Sequence, residues 1–169
     1  MAGSSGGEET SSATTSSEDA WVEVGWGIDE FNAFDDSGTF PVYFGPQGLY
    51  MFTVPIRGGG FPLPADPYDY EDPNMPYVDL WLDVDGYNDG PNGHFSELTD
   101  YVLPMSPDPD MPGTSQYISV WLPIPETVDP NQLEGIPAQL HVELLTGQGE
   151  VLTADHPLMV GGIIDPGFG

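Results

Sequence analysis

Residues 77–85 read YVDLWLDVD. Val78, Leu80, Leu82 and Val84 alternate with Asp79, Trp81, Asp83 and Asp85. A period of two puts four aliphatics on one face of a strand and sets the acids, with Trp81 among them, on the other. The plan recurs at 116–124, QYISVWLPI, with Ile118, Val120, Leu122 and Ile124 inward. It recurs again at 139–144, QLHVEL, with Leu140, Val142 and Leu144 inward. Shorter runs complete the pattern: WVEVGW at 21–26, TFPVYF at 39–44 and GLYMFTVPI at 48–56. Pro41 inside the second of these suits an edge strand or a strand start. After the TGQG turn at 146–149, EVLT at 150–153 and PLMV at 157–160 read as a terminal hairpin with a break near Asp155. Between Pro123 and Glu134 there is room for no more than a short 3₁₀ piece. The expectation is an all-β, antiparallel immunoglobulin/fibronectin-like β-sandwich of about seven to eight strands.

The organisation expected along the chain has three parts. Residues 1–20 hold no large apolar side chain between Ala2 and Ala20 and read as a disordered, acidic, Ser/Thr/Gly-rich tether. Residues 21–163 form the sandwich, and 164–169 a flexible C-terminal tail. The tether is similar to the spacer behind the lipidated cysteine of bacterial lipoproteins. A lipid anchor in a full-length precursor and an extracytoplasmic location are therefore expected. No apolar run is long enough for a membrane span.

Charge removes whole classes of partner. The 169 residues carry one basic side chain, Arg57, against 28 carboxylates, a formal charge of −27. Phosphate backbones are bound by lysine and arginine patches, so nucleic acid is excluded as a partner. Anionic membrane surfaces are disfavoured on the same ground. Cations, basic proteins and neutral glycans remain, and self-repulsion favours a monomer. A further reading takes the charge as adaptation to a halophilic environment. The chain has no cysteine, so disulfides, thiolate metal sites and thiol nucleophiles are absent.

The segment at 41–51, PVYFGPQGLYM, resembles a Gly-Pro-Gln-Gly-aromatic stretch of uncharacterised exported lipoproteins of myxobacteria. Their acidic leaders and β-sandwich bodies are also similar in layout. That family pattern has a second glycine and often a histidine where this chain has Leu49 and Met51. The resemblance implies location and fold, and no activity.

Catalytic signatures are missing from the sequence. His94, His141 and His156 fall in separate segments, with no Gly-x-Ser-x-Gly or His-Glu-x-x-His spacing. His141 projects to the polar side of its strand, while His94 and His156 sit in loop-like sequence. No catalytic residue is assigned. The rival reading is a secreted glycan-active hydrolase using an Asp/Glu pair. Calcium is the cofactor the residues suggest: Asp83, Asp85, Asn88 and Asp89 set hard oxygen donors around two glycines at a strand end. It is not an EF-hand, because Tyr87 stands at a ligand position. Trp81 and Trp121 lie on faces that are otherwise polar and mark a candidate binding surface for a protein or glycan partner. The expected function is thus a non-enzymatic, exported binding, adhesion-like or structural accessory module, with calcium as a candidate stabiliser.

Overall fold

The computed structural model describes residues 20–36 and 38–167. The tether expected over residues 1–20 lies outside these, except for Ala20. Eleven strands are present among the described residues: β1 (Trp21–Val24), β2 (Thr39–Phe44), β3 (Tyr50–Thr53), β4 (Ile56–Gly59), β5 (Tyr77–Val84), β6 (Ser96–Val102), β7 (Ser106–Pro107), β8 (Ser115–Tyr117), β9 (Trp121–Pro123), β10 (Pro137–Leu145) and β11 (Val151–Ile164). They form a seven-stranded sheet in the order β9-β3-β2-β11-β10-β5-β6 and a four-stranded sheet in the order β1-β4-β8-β7. The chain is all-β, with 3₁₀ turns as its only helical pieces among the described residues. No helix among them is long and apolar enough to cross a membrane.

The alternation at 77–84 is realised in full. Val78, Leu80, Leu82 and Val84 are buried while Asp79, Trp81 and Asp83 face outward. The partner strand β10 repeats it, with Ala138, Leu140, Val142 and Leu144 inward and the register Leu140↔Leu82, His141↔Trp81. One core joins both sheets. Val24 and Ile56 from the smaller sheet pack with Phe40, Phe52, Leu82, Leu122 and Leu140 from the larger. Phe52 stacks on Phe40 at 4.6 Å between centroids and meets Phe95 edge-on at 6.3 Å. Each such side chain stabilises the fold by roughly 1.5–3 kcal/mol through removal from water. The buried Thr53 hydroxyl donates to the Gly27 carbonyl at 2.6 Å, so its burial leaves no unmatched donor.

The two sheets share continuous chain. β3 and β9 pair in the larger sheet, and their extensions β4 and β8 pair in the smaller one. The crossing lies at Pro55 and at Ser119, where the Val54 N–H donates to the Val120 carbonyl at 2.8 Å. Strands that bend from one sheet into the next are how corners are made in packed sheets. The edges of the larger sheet also approach each other, the Ser96 hydroxyl of β6 donating to the Pro123 carbonyl of β9 at 3.3 Å.

Several expectations need correction. The strand count exceeds seven or eight, partly because 48–56 and 116–124 each divide at the bend. Pairing is not wholly antiparallel, since β11 runs parallel to β2. Pro41 sits in an interior strand. It is accommodated because the β2–β11 ladder shifts register between Val160 and Ile163, so the bulge at Gly161–Gly162 faces the proline. No break occurs near Asp155, because β11 is a single 14-residue strand. Pro157 fits for a similar reason. It shares parity with Met159, whose N–H points to Gly38 on the β2 side, and β2 pairing begins only at Met159. The missing N–H of Pro157 therefore removes no ladder bond.

Candidate functional site

The outward residues of β5, β10 and β11 make a polar field over the larger sheet. Asp79, Trp81 and Asp83 lie beside Glu143, His141 and Gln139, and His141 lies beside Asp155 in turn. Glu97 of β6 stands opposite Trp81 on the other flank. At the centre, two imidazoles stack on the indole. His141 does so at 4.2 Å between centroids and 25° between planes, from the β10 side. His94 does so at 5.0 Å and 22°, from the β6 side.

Both histidines are held by carboxylates. His94 Nδ1 lies 2.6 Å from Asp83 Oδ1. His141 Nδ1 lies 2.5 Å from Asp155 Oδ1, and its Nε2 lies 2.9 Å from Glu143 Oε2. Burial lowers the His141 pKa, but the bonds to Asp155 and then Glu143 outweigh it, and the value stands above the ordinary 6.5. With both ring nitrogens engaged, His141 is arranged as an imidazolium between two acids. Its place on the polar side of its strand is the one expected. Trp81 is half-buried, and the imidazoles leave it less open ring than its outward position alone suggests.

His94 reaches Trp81 through a turn that occurs twice. Residues 45–50, GPQGLY, and 90–95, GPNGHF, share the pattern Gly-Pro-amide-Gly-x-aromatic, which signals the same turn but not what His94 packs against. Both form a 3₁₀ turn with a left-handed third residue, Gln47 at φ 67° and Asn92 at φ 55°. Both close with the first glycine's N–H on the carbonyl of the fifth residue, Gly45 to Leu49 and Gly90 to His94. A Cβ on Gly90 would stand 2.6 Å from the His94 carbonyl oxygen, which fixes glycine there. The fifth residue of each turn lies near a tryptophan: His94 on Trp81, and Leu49 in the wall of a recess beside Trp121.

That recess, about 310 Å³, is lined by Pro46, Gln47, Leu49, Tyr50, Met51, Trp121 and Pro123. Trp121 is 41% exposed and Leu49 43%, so both keep free apolar surface. A second hollow, about 440 Å³, adjoins across Leu49 and Tyr50 and continues to Glu126 and Asp129. The Asp129 carboxylate caps the 3₁₀ turn Pro130–Gln132 by accepting from Asn131 N–H.

The remaining expected residues are dispersed. Asp83 is bonded to His94, and Asn88 Oδ1 accepts the Val84 N–H at 2.8 Å. Asp85 and Asp89 follow in the turn, each using its backbone N–H on a carbonyl, of Pro137 and Tyr87. No group of three or more His, Asp or Glu side chains among the described residues is disposed to hold a metal ion. His156 lies within β11, not in a loop, and tilts against Phe34 at 5.4 Å. Arg57 is bound to Glu23 at 2.7 Å and lies 4.0 Å over the Phe31 ring, so the chain's one permanent cation is committed inside its own sheet.

No protein-family model, curated protein or solved structure matches this chain.

Proposed function

We propose that the chain is a non-catalytic, exported binding module of immunoglobulin- or fibronectin-like sandwich type, carried on a tether with a lipid anchor in its bacterial precursor. The observation that carries this reading is Trp121, standing exposed over a ready apolar recess on a surface whose only permanent cation is already paired. Rigid aromatic rings at a preformed hollow, with acids around them, suit recognition of a neutral or cationic partner. The non-catalytic part draws support from His141, since both its ring nitrogens are occupied by carboxylates and neither is free to take a proton from a substrate. Calcium at the turn after β5 is not required by this reading. A cation there would compete with His94 for Asp83 Oδ1 and with the Val84 N–H for Asn88 Oδ1.

The test pairs a binding survey with a turnover assay. Immobilised protein is exposed to basic peptides and to neutral oligosaccharides, and the same preparation is incubated with chromogenic glycosides. Binding that weakens in Trp121→Ala, without glycoside turnover, is expected. Hydrolysis that disappears in Glu143→Gln or Asp155→Asn would replace this reading with the hydrolase.

A further inference from the structure

The hollow at Trp121 has a shape and a chemistry that narrow its occupant, given the binding-module reading on which this step rests. We infer that it is a docking groove for a proline-rich segment of a partner protein, one that carries a basic residue next to its prolines. The rings of Trp121, Tyr50, Pro46 and Pro123 line it together with the Leu49 side chain. Stacked pyrrolidine rings fit such walls, and a polyproline II segment is already extended, so little ordering cost opposes binding. Its free backbone carbonyls need donors, and the Gln47 amide and Tyr50 hydroxyl supply them at the groove wall. A sugar would meet a poorer match. Its many hydroxyls call for several polar side chains, and the recess offers the Gln47 amide, the Tyr50 hydroxyl and the Trp121 indole N–H.

Charge selects the flanking residue. The groove runs past Leu49 and Tyr50 to the exposed carboxylates Glu126 and Asp129. The permanent cation of this chain is held by Glu23, so no resident guanidinium or ammonium group competes for that end. An arginine entering there gains a charge-assisted hydrogen bond. The wall is also built to stay in place. Gln47 is held in the left-handed region, and the turn is closed by the Gly45 N–H on the Leu49 carbonyl at 2.6 Å. Backbone strain of this kind persists where the surroundings over-determine it, and it concentrates at binding sites.

Isothermal titration with synthetic ten-residue peptides tests the inference. One peptide carries spaced prolines and an arginine, a second replaces the arginine by glutamine, and a third replaces the prolines by alanine. Neutral oligosaccharides form a fourth arm. The first peptide should bind, losing about tenfold in affinity in Trp121→Ala and in Trp121→Leu, as expected for an aromatic anchor. Glu126→Gln should weaken the arginine peptide about threefold to tenfold and leave the glutamine peptide unchanged, while Trp81→Phe should alter neither. Equal binding by the alanine peptide, or binding indifferent to Trp121, overturns the inference. Oligosaccharide binding lost in Trp121→Ala overturns it too, yet leaves the binding-module reading intact. Glycoside turnover would sink both.

Discussion

Two influences act on the His141 imidazole. Burial disfavours its charged form, and the carboxylates of Asp155 and Glu143 favour it, with the carboxylates prevailing. Asp79 and Asp83 are the outward acids of β5 on either side of Trp81, and no positive group faces His141 from β5 or β11. A histidine whose folded pKa is raised contributes stability fully present below its unfolded value, about 6.5, and lost as pH rises through the folded value. The expected outcome is that His141→Gln costs more melting temperature near pH 6 than at alkaline pH, above the folded value of the imidazole. A loss of on the order of 1 kcal/mol at the acid end fits a half-exposed ion pair. Thermal melts of both proteins across that range check the sign. A difference between wild type and variant that does not shrink toward alkaline pH would show that the bonds do not depend on the imidazolium. At this scale the sequence marked Trp81 and His141 as outward residues of neighbouring strands. It could not place His94 on the same ring, because that depends on where a loop turns.

Turns and bends decide the rest. Gln47 adopts φ 67°, where Asn92 in the matching turn adopts φ 55°, and asparagine tolerates that region better than glutamine. Gln47→Gly should therefore stabilise the fold by about 0.5–1 kcal/mol, the relief of left-handed strain exceeding the entropy glycine adds to the unfolded chain. Urea unfolding measures it, and a destabilised variant would mean that the Gln47 side chain holds the turn through contacts of its own. A second element-scale constraint lies between β10 and β11. A Cβ on Gly147 would meet the Pro73 carbonyl oxygen at 2.3 Å and Asn74 Cα at 2.5 Å, so the loop before β5 sits directly on this turn. Gly147→Ala should cost roughly 1–3 kcal/mol, as overpacking against backbone does. Denaturant titration would detect it, and a neutral outcome would show that the 73–74 loop can lift away. β5 and β10 were legible because one face of each meets the core and the other meets water. The division of 48–56 and 116–124 was not. Val54 and Ile56 stay buried through the bend, as do Val120, Leu122 and Ile124, while Ile118, expected inward, is only half-buried and Tyr117 packs on the core instead. β6 escaped notice because SELTDYV carries almost no aliphatic alternation: it is an edge strand, with Asp79 of β5 accepting the Asp100 N–H where the ladder slips.

For the molecule as a whole, the dominant quantity is a formal charge of −27 gathered around one hydrophobic core. Like charges on a compact surface repel more strongly than on an unfolded chain, so folding works against the field it creates. At about 0.1 M salt the Debye length is about 10 Å, short enough to screen acids on opposite flanks of the domain while leaving the bonded pairs around Trp81 largely intact. The melting temperature should therefore climb with NaCl, steeply at first and then levelling off. Calcium separates two causes of such a rise. Screening depends on ionic strength alone, whereas a site in the turn after β5 adds stability by binding the folded state, in proportion to the logarithm of free calcium. Asp83 and Asn88 already have partners within the fold, so CaCl₂ and NaCl at matched ionic strength should give nearly the same rise, and EDTA should leave it unchanged. Asp83→Asn with Asp85→Asn should reduce the net negative charge and so raise the melting temperature at low salt, most clearly where screening is weakest. A calcium-specific increment, present in the parent and missing from the double variant, would instead place a metal at that turn. Such an ion would take carboxylate oxygens of Asp83 or Asp85 other than the Asp83 Oδ1 that His94 holds, or compete with His94 for that one.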